Sequence, residues 1–246
     1  MKITSVNNDL VKEAAKLHQR KYRDESGLFL IEGEKCIEEA IDYGIKIEKL
    51  FVEEGYNKFN NLETIETTEA VLSKISTTDS APKAVAVGEK PQREWSKNYK
   101  KVLLLENIKD AGNLGTILRT ACAFNIDAVI LYGNTVDLYN PKCVRSSVGN
   151  LWKIPVFEIN DFNLLSKRFA DYEKVATLPK CSNSIWLKDY NPAPETLLMF
   201  GAESTGLTKE LKDFATKNIT IEMSKNVESL NLSISAGIIL YKFVEK

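Results

Sequence analysis

Five polar side chains stand out by where they fall: Asn113, Arg119, Glu203, Ser229 and Asn231. Each belongs to a segment that follows an expected strand and combines glycine or serine with a polar or charged group. Val102 to Leu105 is a continuous apolar run, as a strand buried on both faces requires. Asn107 to Gly115 follows as a loop of turn formers whose two glycines permit unusual backbone angles or close ligand approach. Thr116 to Phe124 then reads as a helix. Ile117, Leu118, Ala121 and Phe124 form its apolar side, with Asn113, Thr116, Arg119 and Thr120 opposite. The run Leu197 to Phe200 ends in Gly201-Ala202-Glu203-Ser204-Thr205-Gly206-Leu207, and the run Ile219 to Met223 is followed by Val227-Glu228-Ser229-Leu230-Asn231. Ligands of open α/β sheets bind at the carboxyl ends of strands. Three such loops therefore predict one pocket rich in backbone donors and acceptors, supplied with an arginine, a carboxylate and an amide. Two other readings stand beside this one. Arg119 is also compatible with a solvated position on a structural strand-loop-helix crossover. A dinucleotide site is the weaker alternative, because Gly112-Asn113-Leu114-Gly115 lacks the G-x-G-x-x-G spacing, although Asp137 follows the run Ala128 to Tyr132 at a suitable distance.

A chain of 246 residues suits one large domain or two modest ones. Hydrophobic content of 43% and charged content of 27% describe an ordinary globular composition. The formal net charge of −1 projects no whole-molecule field towards nucleic acid, so any such contact must rest on local patches. The acidic excess lies in the first 96 residues and the basic excess in the remainder. Cys36, Cys122, Cys143 and Cys181 are widely spaced without a C-x-x-C pair, which argues against a metal site or a disulfide framework. They read as reduced residues of a cytoplasmic protein. Met1 to Leu10 lacks a signal-peptide core, and no run approaches the roughly 20 apolar residues of a membrane span. With His18 as the sole histidine, the chemistry must do without the usual histidine base unless His18 itself serves.

The elements that must position these groups alternate between strand and helix. Asn8 or Asp9 caps a first helix running to about Arg23, with Leu10, Ala14 and Leu17 on its buried side. Its basic residues, among them Arg20, Lys21 and Arg23, form either a solvated face or an electrostatic contact with phosphates. Strands are expected at 27–31, 47–52 and 84–87, and helices at 34–43 and 68–75. Residues 1–90 thus read as a compact α/β unit, 91–99 as a charged linker containing Pro91, and 100–246 as a second domain. Within the second part, Pro141 starts a helix on which Lys142 and Arg145 share a face. The last helix carries Leu232, Ile234, Ile238, Ile239 and Leu240 almost all round, which predicts burial in the domain or at a dimer interface.

Taken together, the three loops resemble the signature motifs of the SpoU (TrmH-like) branch of the SPOUT RNA methyltransferases. The first is Asn113 to Ala121, the second Leu198 to Leu207 with its Gly201-x-Glu203-x-x-Gly206-Leu207 core, and the third Ile221 to Leu240 centred on Ser229-Leu230-Asn231. The N-terminal unit is similar to the ribosomal-protein-like substrate-binding domain that many members carry. Glu222, where proline is usual, and Ala81-Pro82-Lys83-Ala84 depart from the pattern. The resemblance implies an α/β fold with a mostly parallel sheet and a deep trefoil knot in the C-terminal domain, beside a smaller α/β RNA-binding domain. It implies S-adenosylmethionine as cofactor, held around Gly201, Ile221, Met223, Ser229 and Leu230, and a homodimer formed through the C-terminal domain. The expected reaction is methyl transfer to a ribose 2′-hydroxyl, with Asn113, Arg119, Glu203, Ser229 and Asn231 in the active-site network. Lys142, Arg145, Arg20, Lys21 and Arg23 are the expected RNA contacts. Large-subunit rRNA is the preferred substrate, with tRNA, or a noncatalytic RNA-binding protein of the same fold, as alternatives. A guanidinium is effectively never deprotonated, so Arg119 is read as fixing phosphate and stabilising a developing alkoxide in preference to acting as a general base.

Overall fold

The computed structural model describes residues 1–59, 61–179, 183–224 and 226–244, so Cys181 lies outside the described residues. The chain forms two compact units: Met1–Gln92 with Asp137–Lys153, and Arg93–Val136 with Ile154–Lys246. The units divide the chain differently from the sequence boundaries, because residues 137–153 group with the first unit and residues 93–99 with the second.

In the first unit, β1 (Lys2–Ile3), α1 (Asp9–Lys16), α2 (Arg20–Ser26), β2 (Leu28–Glu32), α3 (Glu34–Asp42), β3 (Ile47–Glu53), β4 (Ile65–Thr67), α4 (Glu69–Ile75) and β5 (Ala84–Glu89) follow in order. The five strands form a mixed sheet in the order β1-β4-β3-β5-β2. Val11, Ala14 and Leu17 pack with Leu30, Phe51, Val71, Leu72 and Val85 in its core. Asn8 caps α1 by accepting from the Leu10 amide at 2.9 Å. The single helix expected to run to Arg23 is broken into two. In a continuous helix the Leu17 and His18 carbonyls would accept from amides four residues on. Here the Arg23 guanidinium takes both, at 2.6 and 2.9 Å, and the chain turns before restarting at Arg20.

The second unit contains β6 (Lys101–Glu106), α5 (Ala111–Ala123) and β7 (Ala128–Tyr132). After α6 (Pro141–Ser147), which belongs to the first unit, come β8 (Val156–Ile159), α7 (Phe162–Arg168), β9 (Glu173–Thr177), β10 (Ser184–Trp186), β11 (Thr196–Phe200), α8 (Lys209–Phe214), β12 (Lys217–Thr220) and α9 (Leu232–Tyr241). Its seven strands run β10-β12-β9-β11-β6-β7-β8, and all the pairs are parallel. Every residue of β7 and β11 is buried, which is why both read as unbroken apolar runs. The stretch expected as a linker is anchored here. Trp95 lies 5.0 Å from Phe157 and 5.7 Å from Phe169 between ring centroids, with the Arg168 guanidinium 4.5 Å over its ring.

Residues 137–153 join the first unit through buried polar and aromatic contacts. Asp137 pairs with Arg23, Nη2 to Oδ2 at 2.5 Å. Phe29 packs against Tyr139 at 4.8 Å and Trp152 at 5.4 Å. Cys143, Val144 and Ser147 of α6 are buried. A hydrophobic count along 137–153 does not reveal this, because the ion pair spans 114 positions.

Candidate active site

Helix α5 begins earlier than its apolar spacing suggests. Asp110 caps it by accepting from the Asn113 amide at 2.8 Å, so Gly112 and Gly115 lie within the helix and not in a loop. The cap fixes the backbone of Asn113 one turn into the helix. The Asn113 amide nitrogen donates to Glu203, and its oxygen accepts from the Asn231 amide nitrogen at 3.1 Å. Asn231 in turn is the N-cap of α9, its oxygen accepting from the Ser233 amide at 2.9 Å and the Ser233 hydroxyl at 2.7 Å. Three residues from three separate segments, Asn113 in the first turn of α5 and the other two in loops, thus form one hydrogen-bonded line, Glu203–Asn113–Asn231, and two helix caps hold it in place.

Around Glu203 the chain folds back on itself. Ala202 and Gly206 form an isolated bridge, and Gly206 takes a φ of +65°. A Cβ on Gly201 would lie 2.1 Å from the Gly206 carbonyl carbon and 2.2 Å from the Leu207 nitrogen. No side chain fits at 201, which explains the glycine spacing in Gly201-x-Glu203-x-x-Gly206. The far end of the loop is pinned by Glu106, a buried carboxylate that accepts from the Thr208 amide at 2.8 Å. Asp110 and Glu106 are residues that sequence reasoning missed. Glu106 has a signal in the sequence, an acid directly after the apolar run Val102 to Leu105, and Asp110 another, an acid three residues before the polar Asn113 at a helix start.

A cavity of about 360 Å³ opens at the carboxyl ends of β9, β11 and β12. Gly201, Glu203, Ile221, Met223, Ser229 and Leu230 line it, so all five residues expected to hold a cofactor converge there. Leu178, Phe200, Leu232 and Ile239 add apolar surface. The segment 177–179 was not anticipated at the site. The strand expected over 219–223 ends at Thr220, so Ile221 and Met223 are irregular backbone whose amide and carbonyl groups are outside the ladder. Ser229 is exposed and does not cap the last helix, since Asn231 does. Arg119 is exposed on α5 and has no hydrogen-bond or ion-pair partner among the described residues. Glu222, the departure noted above, pairs with Lys188 at 3.7 Å.

The residues expected to touch RNA all fall in the first unit; Arg23 is corrected, and Arg145 is partly exposed but engaged by an acid. Arg23 is 1% exposed and holds Asp137 and two carbonyls, so it has no route to a phosphate. Arg145 donates to Glu32 at 2.8 Å and to Thr77. Glu32 is itself buried, and its other oxygen accepts from the Thr77 amide and hydroxyl at 3.2 and 2.9 Å. A buried carboxylate needs that partner, so the cation at 145 is already committed. Lys142, Arg20 and Lys21 are exposed, with Arg20 3.3 Å from Asp24 and Lys21 3.8 Å from Glu25 in surface pairs. His18 is half-buried, its Nε2 2.5 Å from the Ile75 carbonyl oxygen.

The SpoU rRNA methylase family profile matches residues 100–241, more than half of the chain. This chain belongs to the SpoU rRNA methylase family. A second profile, the MRM3-like substrate binding domain, matches residues 8–86. The 23S rRNA (guanosine(2553)-2′-O)-methyltransferase of Bacillus subtilis is 31% identical over 97% of this chain and 97% of its own length. Among solved structures, an AdoMet-bound rRNA methyltransferase from Sinorhizobium meliloti is 29% identical, with a TM-score of 0.89 over 99% of this chain and 97% of that one. An RNA 2′-O ribose methyltransferase is 32% identical, with a TM-score of 0.86 over 99% and 98%. The SpoU profile covers every residue that lines the cavity and all three members of the Glu203–Asn113–Asn231 line, whereas Asn113 and Arg119 do not themselves line the cavity.

Proposed function

We infer that this chain transfers a methyl group from S-adenosylmethionine to a ribose 2′-hydroxyl of large-subunit rRNA. The observation that carries the reading is the convergence of the Glu203–Asn113–Asn231 line with a cavity lined by Gly201, Ile221, Met223, Ser229 and Leu230. The lining suits the cofactor: Leu178, Phe200, Leu232 and Ile239 would give a flat base apolar surface, and the irregular backbone around Ile221 and Met223 would offer amides and carbonyls to its polar edges. When bound, S-adenosylmethionine supplies a methyl group on a positively charged sulfonium. The chain's part is to align the ribose oxygen and to accommodate the charge that develops as the hydroxyl proton leaves. Asn113 is held with both ends of its amide engaged, which fixes its orientation. Arg119, exposed and without a partner among the described residues, supplies the positive charge that fixes an RNA phosphate and steadies the developing alkoxide.

The same domain supports a homodimer. On α9, Leu232, Ala236, Ile239 and Leu240 are buried, whereas Ile234 is 55%, Ile238 41% and Tyr241 67% exposed. With Phe124 of α5, whose ring lies 5.8 Å from that of Tyr241, they form an apolar face that a second copy would cover. A cytoplasmic location follows from an rRNA substrate, and among the described residues no helix is long and apolar enough to cross a membrane.

The test is methyl transfer from labelled S-adenosylmethionine to protein-free 23S rRNA, with primer-extension mapping of the modified ribose and sedimentation of the purified chain. Arg119→Lys is expected to lose at least tenfold in kcat, since an ammonium cannot reproduce the bidentate fork. Unchanged turnover would remove Arg119 from the mechanism, and methylation of tRNA but not rRNA would move the substrate class.

A further inference from the structure

We propose that the first unit carries a pocket for one unstacked nucleobase of the RNA substrate, built around Tyr22; this rests on the RNA methyltransferase reading above. A cavity of about 290 Å³ lies between α1, α2 and the sheet. Leu10, Ala14, Leu17, Leu28 and Val87 line it with apolar surface, and Tyr22 adds a half-buried aromatic ring. That volume sits at the lower edge of the roughly 300–1,000 Å³ typical of small-molecule sites, suited to one flat ring system.

The rim identifies the occupant. Lys16 and Lys49 both line the cavity, and neither is paired with a carboxylate among the described residues. The Lys16 and Lys21 ammonium groups lie 5.7 and 5.9 Å from the centre of the Tyr22 ring. An apolar peptide side chain would leave Lys16 and Lys49 uncompensated. A nucleotide matches both features, because its base has an apolar π-face that stacks on an aromatic ring and its phosphates carry the complementary charge. Of the two acids at the rim, Glu25 is engaged by Lys21 at 3.8 Å. Glu13 is placed to accept from an exocyclic amino group at a base edge. Single-stranded bases splayed from loops and bulges are the elements of RNA that proteins recognise by stacking.

The experiment measures KM and kcat for a protein-free 23S rRNA transcript, and calorimetric affinity for S-adenosylmethionine, with the full-length chain. Base–aromatic stacking is worth about 1–3 kcal/mol per base, so Tyr22→Ala should raise KM for the transcript about 5- to 150-fold. Tyr22→Trp should restore it, Tyr22→Leu should not, and cofactor affinity should stay at the wild-type value throughout. Lys16→Glu combined with Lys49→Glu should also raise KM and make the salt dependence of transcript binding shallower. KM values within twofold of wild type for all variants would overturn the pocket while leaving the methyltransferase reading standing. Equal losses in the Trp, Leu and Ala variants would assign Tyr22 to packing and overturn it likewise. A wild-type chain that neither binds S-adenosylmethionine nor methylates the transcript would refute the underlying reading.

Discussion

The burial of Arg23 makes a strong prediction about stability. Its guanidinium reaches Asp137 Oδ2 from Nε at 2.7 Å and from Nη2 at 2.5 Å, and donates to the Leu17 and His18 carbonyls at 2.6 and 2.9 Å. The side chains of the pair are 2% and 6% exposed. Arg23→Met keeps most of the volume but leaves a buried carboxylate without its counter-cation, with only the Tyr139 amide still donating to it at 3.0 Å, and two carbonyls without partners. Breaking a buried pair from one side costs about 3–5 kcal/mol, a large share of the roughly 5–15 kcal/mol that holds a domain folded. With an m-value near ~2 kcal/mol/M in urea, the unfolding midpoint of the first unit should fall by about 1.5–2.5 M. Trp152 is 2% exposed in that unit, so its fluorescence reports the transition once Trp95 and Trp186 of the second unit are replaced by Phe. Asp137→Asn should destabilise similarly, and Arg23→Met with Asp137→Leu should recover much of the loss, because an apolar pair of similar volume avoids the uncompensated charge. RNA affinity of the folded variant should stay within about threefold of wild type. A midpoint shift below 0.5 M, together with tenfold weaker RNA binding and a shallower salt dependence, would refute this reasoning and return Arg23 to the RNA surface.

Three further outcomes follow from the second unit and the cysteines. Gly201→Ala should abolish calorimetrically detectable S-adenosylmethionine binding, because its Cβ would lie 2.1 Å from backbone; near-normal affinity would mean the loop opens without consequence for the cavity. Asn113→Asp sets a carboxylate against Glu203 in place of a donated hydrogen bond, and the resulting misplacement should lower kcat about 100-fold, whereas a change under threefold would take Asn113 out of the catalytic network. Burial pushes the Cys143 thiol well above its ordinary value, and burial likewise raises Cys36 despite a backbone hydrogen bond from Gly149. Both should resist iodoacetamide at pH 8 in the folded chain, with half-buried Cys122 labelled before either; early labelling of Cys143, read by mass spectrometry, would show that the first unit opens.

The parts of the fold that were legible are those set by local periodicity. Strands buried on both faces read as apolar runs, so β6, β7 and β11 were found close to their true ends, and the position of the site followed from the rule that parallel sheets bind at their carboxyl edge. Boundaries set by a side chain were not legible. The start of α5 depends on Asp110 accepting from the Asn113 amide, yet Asp-Ala-Gly-Asn spells a turn as readily as a capped helix. The break between α1 and α2 depends on Arg23 taking carbonyls that an uninterrupted helix would use internally. The strand expected over 219–223 stops at Thr220, which leaves Ile221 and Met223 to line the cavity as free backbone.

Arginines show the limit most clearly. Arg23, Arg119 and Arg145 each fall on a helix where spacing marks a polar face, and the sequence offers the same two readings for all three, solvent or phosphate. What separates them is the supply of carboxylate from elsewhere in the chain. Asp137 reaches Arg23 across 114 positions and Glu32 reaches Arg145 across 113, and in both cases the acid is buried and needs a cation. No acid is brought to Arg119 among the described residues, so its charge stays available at the surface. A face can be read from periodicity because it is a property of one helix. A vacancy is a property of the whole fold, since it exists only when every other element has been placed and none has brought a partner. The polar residues that remain uncommitted after folding are therefore the ones worth assigning to RNA, and of these three arginines that test leaves Arg119.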